Sequence, residues 1–392
     1  MVKKKEIIEE DNLNDNQEVK KLLKDKNLWN IIINELEKKI AGEIPAKEYN
    51  TLCCFGSLVE NANYSSFNSL IHSSSSAGKD YLNNNLLKLF PKKKVYMRTK
   101  ITPSALNYWQ PTETWNGCVL YLADINESIM NSDALKLMCS EGSFITIVDT
   151  KLKPKDIEII GKPVILSTTA NTTPNEEMLN RFGIIKLDET QEQTKEIIKI
   201  QSKYAKQGLS IEYDKNILEA IKTLKRYKVK IPFAENIGIC FPSEQIKERR
   251  NFPKFLDFIK AITCLYQFQR KKEKDFLIST YDDYETARKV FMHSQQGLKS
   301  LPLKSIHKEI IEILKDFQNG LTTPRIIEKM KNPLTRMALY PHLNQLVSLN
   351  LLEIKQMRDD NNNLNNYYYI SQEYYKFKPT KLPSSKELQV II

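Results

Sequence analysis

Apolar residues fall at helical spacing in NLWNIIINELEKKIAGEIP (27–45), a stretch that closes on Gly42 and Pro45. From 46 to 190 the pattern changes to short apolar runs alternating with helical stretches, the signature of an α/β fold. SFNSLIH (66–72), CVLYLAD (118–124) and KPVILSTTAN (162–171) read as buried strands. Between the last two, SFITIVDTKLKPKDIEIIGKP (143–163) alternates apolar and polar positions on both sides of TKLKPK, predicting a β-hairpin with a basic tip. Residues 191–300 are expected to be mostly helical, with a Pro-punctuated break at IPFAENIGICFP (231–242).

A separate pattern occupies 303–372. Three amphipathic stretches (305–318, 320–331 and 333–352) precede two strands around an Asp/Asn-rich tip, the order of a winged helix. Pro341 is predicted to kink the third helix or shift its start. The charged residues 1–26 read as a solvated lead-in and 378–392 as a loose extension. The resulting division is 1–45 N-terminal extension, 46–205 core, 206–300 helical lid, 303–372 winged helix and 373–392 tail.

A length of 392 residues accommodates such a division. A formal charge of +11 favours a polyanionic partner. No apolar run reaches the roughly 18–20 residues that span a bilayer, and the first residues lack the apolar core of a signal peptide, so a cytoplasmic location is expected. The six cysteines contain no CxxC and no zinc spacing with histidine, and the four histidines are scattered. Buried free thiols are the expectation.

Candidate chemistry starts at IHSSSSAGKDYL (71–82), a hydrophobic strand running into GK. A phosphate loop needs inward-pointing backbone N–H groups, a helix N-terminus behind them and a lysine for the β/γ-phosphates. Ser75, Ser76, Ala77 and Gly78 supply small residues for such a turn, Lys79 the ammonium, and 80–90 the helix. Two positions depart from GxxxxGK(S/T): Ser73 stands where the first glycine is usual, and Asp80 where a hydroxyl binds magnesium. A carboxylate there can ligate the metal but adds negative charge beside phosphates. Further along, VLYLAD (119–124) ends in Asp124, a carboxylate placed to hold magnesium, and PVILSTTAN (163–171) ends in Thr168, Thr169 and Asn171, placed to orient a water. Arg181, in LNRF, is positioned to reach a neighbouring subunit's phosphate.

These four elements in this order match an AAA+ ATPase core. The stretch 66–205 resembles the helicase-type ATPases of primase-associated and mobile-element replication proteins, related in layout to minichromosome maintenance and superfamily III helicases. SLIHSSSSAGKDYL, VYMRTKITPSAL (95–106), SEG (140–142), IIGKPVILSTTA and LNRFGIIKLDETQEQTKEI (179–196) carry the resemblance, and 231–270 resembles the lid of the same group. It implies an ATP- and Mg2+-dependent DNA helicase or translocase acting as a homo-hexamer. In that reading Lys79 serves the phosphates, Asp124 and Asp80 the metal, Thr169 or Asn171 the water, and Arg249 or Arg250 the lid side of the γ-phosphate. Lys151, Lys153 and Lys155 would contact the DNA backbone in the channel, while Arg336, His342 and Asn344 would face a groove. The family's second strand usually ends in two adjacent acids. Here Asp124 lies between Ala123 and Ile125, so the base falls to Glu127 or another residue.

Two other readings remain at this point. One is an origin or transposition factor that uses ATP for assembly. The other is a P-loop kinase acting on a small molecule, against which the winged helix and basic hairpin argue. A separate primase or initiator is the further partner expected, because the chain carries neither a primase domain nor a zinc module.

Overall fold

The computed structural model describes residues 16–390 except 64–65, 107, 110–112, 140–142, 149–152, 171–177, 179–180, 209–211, 245–247, 295–302, 350, 359–361, 363, 373 and 375–380. The chain forms two compact units, one of them Gln296–Thr380 together with Thr173–Glu177, the other the remainder.

The larger unit opens with three helices, α1 (Gln17–Leu23), α2 (Leu28–Glu37) and α3 (Ile44–Gly56). The side chain of Asn16 caps α1 by accepting from Val19 N–H. Glu43, in the left-handed region at φ 51°, turns the chain into α3, and Pro45 in the first turn has no N–H to leave unpaired. These helices are part of the core. Leu28, Ile32 and Leu36 of α2 and Tyr49, Leu52 and Phe55 of α3 are fully buried. An N-terminal extension ending at 45 therefore differs from what the packing gives: the apolar stripe of α2 needs a partner face and finds it within this unit.

Next come β1 (Ser69–His72), α4 (Lys79–Leu86), β2 (Val95–Arg98), the short α5 (Pro103–Leu106), β3 (Val119–Leu122), α6 (Glu127–Met130) and α7 (Asp133–Met138). The hairpin β4 (Ser143–Val148) and β5 (Pro154–Ile159), then β6 (Val164–Thr169), β7 (Gly183–Ile185) and α8 (Gln191–Gln207), follow. Five of these strands make a parallel sheet of order β2-β3-β6-β1-β7, and the antiparallel hairpin stands outside it. β1, β3 and β6 are buried along their whole length. Alternate residues feed two cores. Ile71, Tyr121 and Leu166 join the larger one, and Leu70, Leu120, Leu122 and Ile165 join the smaller one around Trp115, Met130 and Phe182. This is why the strands read as unbroken apolar runs: both faces are covered.

The unit continues with α9 (Lys215–Thr223), β8 (Lys228–Lys230), α10 (Ala234–Cys240), α11 (Glu248–Leu265), β9 (Lys272–Glu273), β10 (Phe276–Ile278) and α12 (Tyr281–Ser294). A three-stranded sheet of order β8-β10-β9 interrupts the helices expected over 206–300. Its strands are two or three residues long, and Val229 and Leu277 are the buried positions in β8 and β10, too few to leave a periodic signal. Tyr49 and Phe291 both meet Phe258 of α11 edge-on, with centroids 5.4 and 5.9 Å apart, joining α3, α11 and α12. Leu382 and Leu388, the latter on a helix at Ser385–Val390, are buried in the same core, and Tyr284 donates to Pro383 O at 2.7 Å. The stretch expected to be a loose tail is thus packed at 381–390, because two leucines and a satisfied tyrosine anchor it.

The smaller unit contains α13 (Ser305–Lys315), β11 (Leu321–Thr322), α14 (Thr323–Lys329), α15 (Arg336–Ser348), β12 (Leu352–Arg358) and β13 (Leu364–Ile370). Its sheet is antiparallel, of order β11-β13-β12. Leu339, Leu343 and Leu346 of α15 are buried with Ile310, Ile311 and Leu314 of α13, and Pro341 sits on the exposed side of an α15 that continues through it.

Candidate functional site

The carboxyl ends of β1, β3 and β6 lie side by side, because His72 pairs with Thr169 and Leu122 with Ser167. In open parallel sheets ligands bind beyond these ends. The loop 73–78 leaves β1 at that edge and feeds α4. It turns through two left-handed residues, Ser76 at φ 68° and Gly78 at φ 87°. A Cβ on Gly78 would meet nothing within 4 Å, so glycine serves the backbone angle there and the space beside it is open.

Lys79, the first residue of α4, is buried and folds back over the loop. Its ammonium donates to Ser73 O at 3.0 Å and Ser74 O at 2.7 Å. Those two carbonyls hold it where incoming phosphate oxygens are stronger acceptors. The Ser73 hydroxyl oxygen accepts from Leu187 N–H at 2.8 Å, tying the loop to the segment after β7 in a way glycine could not. Glu189 accepts from Ser74 N–H at 2.7 Å, a second tie to that segment.

Asp80 is locked from the sheet side. Its Oδ1 accepts from the Tyr121 hydroxyl at 2.6 Å and the Thr168 hydroxyl at 2.8 Å. Burial, reinforced by the Asp80 carboxylate, pushes the Tyr121 hydroxyl far above its ordinary range, which keeps it a donor. Thr168 Oγ1 also accepts from Asp124 N–H at 2.8 Å, and Thr168 O accepts from Ile125 N–H at 2.8 Å. One fully buried threonine therefore links the two acids that stand out in the sequence. Asp124 adopts φ 43°, a left-handed angle that aspartate tolerates better than most residues, and its side chain is exposed at the sheet edge. Glu127 is also exposed, in the first turn of α6, which Asn126 caps. Thr169 is buried at the end of β6. Asn171, like Lys151, lies outside the described residues.

A pocket of about 260 Å³ opens beside Ser76, Ala77 and Gly78. Ile40, Leu187, Ile197, Ile200 and Tyr204 give it an apolar wall, and Glu43 stands at its rim. The wall is assembled from distant elements. Tyr204 of α8 donates to Lys38 O at 2.6 Å, and Gln193 Nε2 to Ala41 O at 2.7 Å. Both Glu43 oxygens accept from Asp188 N–H at 3.1 Å, and burial pushes this carboxyl up to about 7. Sequence reasoning missed the pocket and the Thr168–Tyr121 lock. The recurrence of Ile197, Ile200 and Tyr204 along a largely polar helix was the available signal for the first.

These residues fit a nucleotide. The loop offers a bent backbone, a lysine on exchangeable carbonyls and an adjoining apolar pocket. No cluster of three or more His, Cys, Asp or Glu able to hold a metal occurs among the described residues. Asp80 and Asp124 suit Mg2+, which needs one or two carboxylates and takes its other ligands from phosphate and water.

The other expected residues lie elsewhere. Arg181 precedes β7 at the opposite, amino-terminal edge of the sheet, where its carbonyl accepts from Asn68 Nδ2 at 3.2 Å and its guanidinium donates to Lys136 O at 3.4 Å. Arg249 and Arg250 are exposed in the first turn of α11 and make no hydrogen bond or ion pair among the described residues. Among the described residues no hydrogen bond or ion pair links them to the phosphate loop, beside which α8 supplies the outer wall of the pocket. Lys153 and Lys155 are exposed at the start of the hairpin's second strand. In the smaller unit, Arg336 and Asn344 are exposed on α15 beside Met337 and Tyr340. His342 differs from expectation. It is half-buried with Nδ1 3.0 Å from His307 Nε2, because its position on α15 faces the start of α13.

No described helix is long and apolar enough to cross a membrane. None of the curated proteins matches this chain. The family described as MTBMA_p00010 P-loop domain matches residues 12–230, more than half the chain, and covers the phosphate loop, the parallel sheet and the pocket wall. P-loop domains bind nucleotides, and the local geometry accords with it: this chain belongs to the MTBMA_p00010 P-loop domain family.

Proposed function

We propose that this chain is an ATPase of AAA+ type that assembles as a ring and moves DNA in the replication of a mobile or viral-type element. One observation carries the reading: Lys79 and Arg181 lie at opposite edges of the same sheet. They are separated by at least the length of β1, roughly 13 Å at about 3.3 Å per residue. A phosphate held by Lys79 is then out of reach of the same chain's Arg181 and within reach of a neighbour's. The strand order β2-β3-β6-β1-β7 and the hairpin just before β6 accord with this layout.

ATP supplies the phosphoryl group and Mg2+ the charge neutralisation when bound. The chain's part is to receive the phosphates on the 73–79 backbone and the Lys79 ammonium, and to place Asp124 and Asp80 toward the metal. The base lies against Ile40, Leu187 and Ile200. Thr168 fixes both acids, and Glu127 is the acid nearest in sequence to act as base. Lys153 and Lys155 offer phosphate contacts to a strand in the ring, and α15 of a winged-helix unit offers Arg336 and Asn344 to a duplex.

Mixing inactive subunits tests the ring. Lys79→Ala and Arg181→Ala should each abolish DNA-stimulated hydrolysis. Their mixture should recover part of it, since an intact lysine then meets a neighbour's intact arginine. An Arg181→Ala chain with normal turnover, or a mixture as dead as its components, would sink the proposal. A second reading, an assembly factor with slow turnover, is favoured by Asp124 standing at the end of β3 without an adjacent acid. Nucleotide-dependent assembly on DNA without hydrolysis would select it.

A further inference from the structure

A cavity of about 330 Å³ lies at the amino-terminal edge of the parallel sheet, where Phe67 precedes β1, Gly117 precedes β3 and Lys162 precedes β6. It is remote from the phosphate loop and plays no part in the function proposed above. Its walls are built rather than incidental. Trp115 N–H and the Thr114 hydroxyl both donate to Ile160 O, at 2.9 and 3.1 Å, and Lys162 N–H donates to Asn116 Oδ1 at 3.4 Å. Gly161, at φ 76°, could not carry a side chain, since a Cβ would stand 2.6 Å from Thr114 and Asn116. On the other wall Arg226 donates through Nε to Ser57 O at 3.2 Å, pressed so close to Gly117 that a Cβ there would lie 2.9 Å from Arg226 Cδ.

The lining is rich in donors. Lys162 contributes an ammonium with no hydrogen bond or ion pair among the described residues. Arg226 keeps its two terminal nitrogens after the Nε bond, and Asn116 keeps its amide N–H groups after Oδ1 is used. Glu60, an exposed residue, is the one carboxylate in the lining among the described residues. The groups around Lys162 offset its charge only in part. Burial holds the Cys53 and Cys139 thiols up at about 12, so they are uncharged. Asp257 is engaged by Lys260, the Ser66 hydroxyl and Asn63 N–H. Lys254 adds a second cation, over the rings of Tyr49 and Phe258 at 5.5 and 6.0 Å. Burial pulls both lysines down to about 8, and the pull of Asp257 on Lys162 in the opposite direction does not make up for the loss of water.

We propose that this cavity is a second anion site, in which Lys162, Arg226 and Asn116 bind the phosphate of a small phosphorylated ligand. Three donors from three separate segments match the several acceptor oxygens of a phosphate better than the two of a carboxylate. The volume lies at the small end of the range for ligand pockets, about 300–1,000 Å³. A free phosphorylated molecule and the 5′-phosphate of a nucleic-acid strand share this chemistry.

Calorimetric titration with inorganic pyrophosphate tests it on the full chain and on Lys162→Met, Arg226→Gln and Lys79→Ala. Lys162→Met should lose one pyrophosphate per chain, or at least tenfold in affinity at that site, while ATP binding stays as in the wild type. Lys79→Ala should show the reverse, losing ATP and keeping the Lys162-dependent site. Arg226→Gln should weaken the same site as Lys162→Met. Because methionine keeps the stem and removes a charge whose dominant influence is burial, Lys162→Met should melt no lower than the wild type, which separates lost binding from lost folding. Unchanged pyrophosphate binding in Lys162→Met, or ATP and pyrophosphate lost together, would overturn the proposal. A 5′-phosphorylated dinucleotide that outbinds its 5′-hydroxyl counterpart only when Lys162 is present assigns the strand end as the source. Equal dinucleotide binding beside Lys162-dependent pyrophosphate binding assigns a free ligand.

Discussion

The phosphate-loop edge and the exposed face of α15 are both candidate contact regions, yet they are made differently. At the loop, three of the expected residues are held by others: Lys79 by two carbonyls, Asp80 by Tyr121 and Thr168, Asp124 N–H by Thr168. On α15, Arg336 and Asn344 stand exposed and make no hydrogen bond or ion pair among the described residues. The first arrangement is preorganised by the core and sensitive to single atoms. A contact made through the second would rest on charge and exposure, so it would tolerate change in any one residue and respond to salt.

The strongest response should come at the loop. Lys79→Ala removes the charge that the loop carbonyls position, and nucleotide affinity should fall about 10- to 100-fold, the equivalent of a lost charged hydrogen bond. Equilibrium binding of a fluorescent ATP analogue measures it, and an unchanged affinity would mean the loop is a turn and nothing more. Thr168→Val keeps the shape and deletes the link between Asp80 and Asp124. It should lower stability by about 1–3 kcal/mol in chemical denaturation and weaken the Mg2+ dependence of nucleotide binding. Normal Mg2+ dependence would break the claim that this link organises the metal side.

On the exposed regions the effects should be smaller and graded. Lys153→Ala with Lys155→Ala should leave the melting temperature in place and reduce the salt slope of DNA binding by about 0.7–0.9 per lysine. A slope identical to wild type would remove the hairpin from the DNA path. Arg336→Ala should act in the same direction for duplex DNA.

The weakest effects concern pH. Glu43 is raised to about 7 in the folded chain, so the fold holds a proton the unfolded chain releases, and its stability contribution declines as pH rises from the ordinary carboxyl range to about 7. Glu43→Gln should flatten that part of a thermal-denaturation profile by about 2–4 °C and change nothing above it. In the smaller unit burial lowers His342 below its ordinary 6.5, so its contribution is present above that value and lost as pH falls below it. His342→Asn should remove the acid-side loss for that unit, read by hydrogen exchange in α13 and α15.

The parts legible beforehand were those encoded by local repetition. β1, β3 and β6 were readable because strands covered on both faces are continuous apolar runs, and the hairpin because its alternation flanks a basic tip. The phosphate loop was readable because glycine at a left-handed angle followed by lysine at a helix start is a requirement of contiguous residues. β8 and β10 left no such trace. Neither did the pocket, whose wall combines Ile40, Leu187 and Ile200 across 160 residues of chain, as the numbering of its lining gives.

The nucleotide-binding class, the position of Lys79 and the alternation of strands and helices all follow from the order of residues alone, since each rests on neighbours along the chain. Which distant groups share an environment is a matter of packing in three dimensions. Packing drew α2 and the segment 381–390 into the core, turned His342 toward His307, set Arg181 at the far edge of the sheet from Lys79, and made Thr168 the link between Asp80 and Asp124. Strand register and side-chain burial fix these relations, and both are settled over the whole unit rather than by any local run of residues.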